Sequence, residues 1–299
     1  MGNSTEFHIK SFSSYKLANL VMLSGIFIAS FGIIFNICCY ITASKLKIKN
    51  SSIAFIKCLA IWDALTVFHK GYIELAGNYF NFVLQDFNIY FCKIGYYCGW
   101  AFPVSASLHM MFLAVDRAIA IHWPIWYKQK SSPSLANKTS LGITAFCCIV
   151  LIPNLLKFDI INSKCAFVAS PLFSFWYSAF IALFLYCIVP FFVIFFCNLY
   201  IVYALSIRKR ESSSTERRLT IMLLSNSFVF CILSGSTAVL VVMYYNMNAI
   251  TVEDKADAFL LQKILATLTV INSSVNFIFY FISGSLFRST FFQAIKNIC

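Results

Sequence analysis

The sequence predicts an all-α membrane protein, a bundle of seven transmembrane helices, and three observations carry that expectation. Sixty per cent of its 299 residues are hydrophobic and only 11% are charged, against roughly 25% charged residues in soluble domains. The apolar residues gather in seven runs, near 18–43, 52–76, 90–122, 139–157, 172–207, 218–246 and 258–284. Each is close to or above the roughly 20 residues that a membrane helix requires. Lysines and arginines also concentrate in alternate connections between the runs. Helix is expected nearly throughout, because irregular backbone cannot face hydrocarbon. No internal repeat or low-complexity tract interrupts the chain, so residues 18–284 read as one domain, with 1–17 before it and 285–299 after it.

The first run is free of charge, and with no apolar core in the first sixteen residues it is expected to act as its own insertion signal. The second is interrupted by Lys57, Asp63, His69, Lys70 and Glu74. Its end charges are expected to snorkel to the interfaces, leaving Asp63 as the intramembrane carboxylate, a functional position by default. The third ends in the adjacent pair Asp116-Arg117, with Pro124 seven residues beyond the arginine. The fifth contains Pro190, and the sixth carries Ser234-Gly235-Ser236, residue types at which a helix bends. In the seventh, Asn272, Asn276 and Tyr280 recur every four residues and share one face. With Ser273 and Asn36 they form a candidate polar network that holds Asp63 directly or through water.

Orientation follows from the basic residues. Lys45, Lys47, Lys49, Lys128, Lys130, Lys138, Arg208, Lys209, Arg210, Arg217, Arg218, Arg288 and Lys296 fall after spans one, three, five and seven. Those segments are expected to be cytoplasmic, which places the amino terminus outside a plasma membrane and the carboxyl terminus inside. Asn3-Ser4-Thr5 then lies outside as a glycosylation acceptor. The net charge of +12 suits anionic inner-leaflet lipid. Nucleic acid is not an expected partner, because no aromatic platform interleaves the basic residues.

Of twelve cysteines, eight lie within spans, where a thiol is a small apolar filler. Cys92, Cys98 and Cys165 face the oxidising side, which allows one disulfide and leaves one thiol. Cys299 is either a palmitoylation site or simply the last residue.

Asp116-Arg117-Ala118 with Pro124 resembles the end of the third span in rhodopsin-like G-protein-coupled receptors. The other landmarks of that family fall in order: Asn36 in "GIIFN", Asp63 in "LAIWD", Cys92 twenty-five residues before Arg117, Pro190, and "NSSVNFIFYFISGSLFR" with Asn276 and Tyr280 as its matching ends. The resemblance implies a Cys92–Cys165 disulfide, a short cytoplasmic amphipathic helix within 285–299, and coupling to a heterotrimeric G protein. It also implies a switch in which Arg117 pairs with Asp116 and with Glu216 of the sixth span, and a candidate sodium site at Asp63. Ala106, however, stands where a serine is common in that site, so a structural polar network is preferred to sodium, and no other cofactor is expected. Departures accompany the match: the sixth- and seventh-span prolines are replaced by Ser236 and Phe277, and the sixth-span tryptophan by Ser234.

Gly99 stands where amine receptors of this family carry an aspartate, and Val270 where opsins carry the retinal lysine. The texture of the seventh span is most similar to invertebrate neuropeptide receptors of the FMRFamide and thyrotropin-releasing-hormone type. A peptide is the leading expected ligand, and a small chemosensory molecule is the alternative. Tyr96, Trp100, Trp176, Tyr244 and Lys263 are the candidate outer pocket. An enzyme is not expected, because no nucleophile lies near a base and the four histidines are scattered. A transporter would more typically show an internal repeat.

Overall fold

The computed structural model describes residues 13–46, 50–168, 170, 176–177, 180–207, 214–246 and 251–296. Seven spans, Ser13–Lys45, Ser51–Tyr79, Ile89–His122, Pro133–Leu156, Phe180–Ala204, Leu223–Met243 and Glu253–Ser283, are long and apolar enough to cross a bilayer. They coincide with the seven runs, with ends moved by a few residues. Of the fifth run's first eight residues, Trp176 and Tyr177 alone are described, and both are helical.

Local capping sets where several spans begin. Asn50 accepts from the Ile53 amide at 3.1 Å, and Asn88 accepts from the Tyr90 and Phe91 amides at 3.0 Å. Ser132 caps the fourth span immediately before Pro133, a residue whose missing N–H costs nothing in a first turn. Thr251 and Asp254 form a reciprocal capping box for the seventh.

The first span packs on the second and seventh through small residues. A Cβ added to Gly32 would lie 2.1 Å from Ser274 Oγ, and one on Gly71 would lie 2.3 Å from Ala29 Cβ. Close backbone approach of this kind supplies the van der Waals contact that associates helices in lipid, where no hydrophobic drive exists between them.

Several spans depart from uniform α-helix. The second continues beyond Val67 as a π-helical stretch, Phe68–Ala76, and the fifth opens with another, Phe180–Ile188, just before Pro190. The sixth lies in one continuous helix, Ser214–Asn246. In place of a proline it has Ser236 donating to the Ile232 carbonyl at 3.0 Å and Thr237 to the Leu233 carbonyl at 2.8 Å, back-bonds that often bend helices. The seventh divides at Val275 into Val252–Ser274 and Asn276–Ser283 although Phe277 occupies the expected proline position. After Gly284 comes Ser285–Lys296, the amphipathic helix. It buries Phe287 at 5.9 Å from the Phe277 ring and 5.7 Å from the Tyr280 ring. Cys299 lies outside the described residues.

The expectation of helix nearly throughout overlooks a hairpin between the fourth and fifth spans. Strands β1 (Phe158–Ile161) and β2 (Lys164–Phe167) pair antiparallel, with Cys165 opposite Ile160. Asn162 and Ser163 turn the chain at φ of 50° and 59°, the positive pair that a tight two-residue hairpin turn requires.

Candidate functional site

The bundle has a polar cluster at one end, a buried carboxylate in its middle and a cavity at the other end. Pro124 opens a short helix, Pro124–Lys130, and this helix brings Tyr127 back over Arg117. The arginine is only 4% exposed. Its Nη2 donates to Asp116 Oδ2 at 2.9 Å and to the Tyr127 hydroxyl, and its guanidinium carbon lies 5.3 Å from the Tyr127 ring centre. Tyr127 donates in turn to Asp116 Oδ2 at 2.9 Å. The start of the second span completes the shell, with Ser51 donating to Asp116 Oδ1 at 2.5 Å and Ser52 to Oδ2. A buried ion pair is stable only when further hydrogen bonds satisfy its lone pairs, and here three hydroxyls do so.

Asp116 and Arg117 are therefore brought together, whereas the Glu216 side chain lies outside the described residues. Tyr127, Ser51 and Ser52 were not anticipated. In the sequence Asn50-Ser51-Ser52 reads as a helix start, and Tyr127 follows a proline without any periodic signal. Beyond Arg117 a narrow gap is lined by Met110, Asn198, Ile201, Thr220 and Leu223 of the third, fifth and sixth spans.

In the middle, Asp63 is 3% exposed and accepts from Asn276 Nδ2 at 2.5 Å, with the Ser273 hydroxyl facing the same carboxylate. The other expected partners are used elsewhere. Asn36 donates to the Gly32 carbonyl at 2.9 Å and the Ser273 carbonyl at 2.8 Å, fastening the first span to the seventh. Asn272 faces Tyr186. The Tyr280 hydroxyl meets Asn226 Nδ2 at 3.2 Å and thereby joins the seventh span to the sixth. Ser107 donates to the Tyr186 carbonyl at 2.8 Å, and Ala106 beside it offers no oxygen. Hard cations take several oxygen ligands. Asp63 is thus held by an amide N–H and a serine hydroxyl of the seventh span, and the Ser107 hydroxyl of the third span is committed to the Tyr186 carbonyl.

At the far end, the Cys92–Cys165 disulfide, with Cα atoms 5.5 Å apart, ties the hairpin to the head of the third span. Cys98 is a free thiol. The Cys165 amide donates to Asp86 Oδ1 at 2.7 Å, and Phe158 stacks on Tyr96 at 3.7 Å. Beneath lies a cavity of about 590 Å³, within the usual range of roughly 300–1,000 Å³ for ligand sites. Tyr96, Trp100 and Lys263 line it. Trp176 is 65% exposed and does not, and the side chain of Tyr244 and the whole of Asn3 lie outside the described residues.

The cavity wall also corrects the expectation that the end charges of the second span reach for the interfaces. His69, Lys70 and Glu74 face the cavity instead. Lys70 pairs with Glu74 at 2.7 Å and sits 5.6 Å from the Trp100 ring centre. The π-helical stretch carries all three, and Gly99 opposite makes the room: a Cβ there would lie 2.9 Å from His69 Cε1. Lys157, next to β1, is a further lining residue, with Nζ 5.1 Å from the Tyr177 ring centre. Burial there pushes the Lys157 ammonium down to about 8. Of the acidic residues near the start of the seventh span, Asp254 serves the capping box and Asp257 accepts from Ser14.

Residues 35–280 match the family described as 7 transmembrane receptor (rhodopsin family). The chain is also similar to proteinase-activated receptor 1 of Cricetulus longicaudatus, with 26% identity over 220 residues that cover 67% of this chain and 49% of that protein. The match thus spans about half the length of that curated relative.

Proposed function

Because the chain belongs to the rhodopsin family of seven-transmembrane receptors, we propose that it binds an extracellular peptide in the cavity beneath the hairpin and activates a heterotrimeric G protein at its opposite end. The disulfide end is then extracellular and the Arg117 end cytoplasmic, the orientation that the lysine and arginine distribution favours. The observation that carries this reading is the containment of Arg117. A nearly fully buried guanidinium, held by Asp116 and Tyr127 beside a gap between the third, fifth and sixth spans, is a restrained group next to a docking place. The third span contributes both Trp100 to the cavity and Arg117 to the cluster, so one rigid element touches both sites. An agonist then acts by binding better to the arrangement in which Arg117 is released, since equal affinity for both arrangements shifts no population.

A peptide is preferred because the sequence texture is nearest to peptide receptors and because the relative is named for activation by a proteinase, an enzyme class that acts on polypeptides. A small chemosensory ligand is the second reading, favoured by the depth at which His69 and Lys263 sit. The test is G-protein dissociation in cells expressing wild type or Arg117→Ala, challenged with tissue extract before and after protease treatment. A protease-sensitive response confined to wild type supports the peptide, and a protease-resistant one supports the small molecule. Silence from every extract at verified surface expression refutes the receptor reading.

A further inference from the structure

The cavity is charged in an uneven way. Lys70, Lys157 and Lys263 line it against a single carboxylate among the described lining residues, Glu74. That carboxylate is taken by Lys70 at 2.7 Å. Lys263 is 2% exposed, and among the described residues its ammonium makes no hydrogen bond or ion pair; its close neighbour is the Phe259 ring at 4.8 Å. His69 is 4% exposed, and neither ring nitrogen has a hydrogen-bond partner. A buried ammonium and a buried imidazole that make no hydrogen bond among the described residues are costly features, and both line the one cavity. His69 also lies in the π-helical stretch, a backbone form that recurs at functional sites. Val83, Phe158, Ala182, Val241 and Leu265 give the wall an apolar part, beside polar side chains such as Asn78, Gln85, Thr237 and Gln262.

We propose that this cavity recognises the anionic group, a carboxylate or phosphate, of an amphiphilic ligand, with Lys263 and Lys157 supplying the countercharge and His69 donating a ring N–H. The proposal rests on the reading of this cavity as the receptor's ligand site and defines the chemistry that it accepts. A neutral imidazole has one N–H to give, and an ammonium paired with an anion in a water-poor site forms a stronger bond than a neutral pair. A cationic ligand finds the opposite. Glu74 is already neutralised, and Gly99 supplies no carboxylate. The anion can belong to an acyl chain or to the free carboxyl end of a peptide, and the apolar part of the wall accepts the body of either.

The test uses the full-length receptor in phosphatidylcholine nanodiscs without G protein, reading thermal stability and ligand titration. The probes are decanoate with decanamide, decyl phosphate with decanol, and an apolar hexapeptide acid with its carboxamide. At least one acid should stabilise the receptor while its neutral counterpart does not, and the responding pair identifies the source. Lys263→Met should weaken that acid at least tenfold, and Lys263→Arg should retain binding. In the absence of ligand, Lys263→Met should melt no lower than wild type, because removing the desolvation cost of a buried ammonium offsets the loss of its contact with the Phe259 ring. The proposal is overturned if no acid binds, if the neutral analogues bind equally, or if Lys263→Met binds unchanged. A lower melting temperature for ligand-free Lys263→Met would assign Lys263 a structural role instead and would also overturn it. Binding is read without G protein, so failure of coupling in cells and failure of anion recognition remain separate results.

Discussion

Tyr127→Phe isolates the contribution of one hydroxyl to the restraint on Arg117. The hydroxyl accepts from Arg117 Nη2, donates to Asp116 Oδ2 at 2.9 Å and touches Ser51 Oγ at 2.7 Å. The groups left behind keep partners: Arg117 retains Asp116, Asp116 retains Ser51 and Ser52, and Ser51 retains Ser131 at 2.7 Å. The substitution therefore does not abandon a buried charge, and the phenyl ring preserves the face that lies 5.3 Å from the guanidinium. What is lost is hydrogen bonding to charged groups, worth about 1.5–3 kcal/mol. At about 1.4 kcal/mol per tenfold, the lower bound raises the ratio of released to restrained Arg117 by about tenfold. Basal G-protein dissociation, normalised to receptors at the cell surface, should rise accordingly, and Asp116→Asn serves as the comparator. If Tyr127→Phe signals at the wild-type basal level while Asp116→Asn signals more, the Tyr127 hydroxyl does not restrain Arg117 and the assignment fails.

Other expectations rest on single contacts. Ligand affinity and thermal stability should be the same in sodium and in choline buffers, for wild type and for Asp63→Asn, because Asp63 accepts from Asn276 and the third-span Ser107 hydroxyl is turned to the Tyr186 carbonyl; a sodium effect lost in the mutant would refute this. Gly32→Leu should abolish surface expression, since its Cβ alone would lie 2.1 Å from Ser274 Oγ, whereas Gly142→Leu, with nothing within 4 Å, should be tolerated. Immunoblots of surface-labelled cells distinguish the two. Lys157 gives a pH dependence with a definite sign. Its ammonium is pushed from 10.5 down to about 8 by burial, so between those values the unfolded chain binds more protons than the folded one, and folded stability rises with pH across that window. Lys157→Met should remove this rise in thermal melts taken between pH 7.5 and 10, with the other charged and titratable groups of the cavity wall, Lys70, Lys263, Glu74, His69, Tyr96 and Tyr186, left in place; an unchanged slope would refute it.

The parts of this protein that were legible in its sequence are those whose physics is one-dimensional. Span number follows from the length of apolar runs, and the Cys92–Cys165 bond follows from the family landmark that placed Cys92. The hairpin went unread although "IINSKC" contains its signal, because Asn162-Ser163 looks like any polar turn until the two flanking segments are seen to pair. Contacts between distant segments were harder still. Nothing local distinguishes Tyr127 from a surface tyrosine, and it joins Asp116 only because Pro124 restarts the chain as a helix.

The second span shows why the cavity was the least legible part. Charges near a helix end ordinarily reach the interface, and His69, Lys70 and Glu74 were assigned that role on their position alone. Three features outside that rule turn them inward: the π-helical stretch, the small Gly71 packed against Ala29, and the missing side chain at Gly99. A side chain at Gly99 would occupy the His69 position, so the absence of a carboxylate there has two consequences. It leaves the wall without the carboxylate found there in amine receptors, and it opens the space that His69 occupies in the cavity that Lys263 also lines. On the anion-recognition proposal, the residue that argues against a cationic ligand is thus the same residue that makes room for the histidine of the anion site.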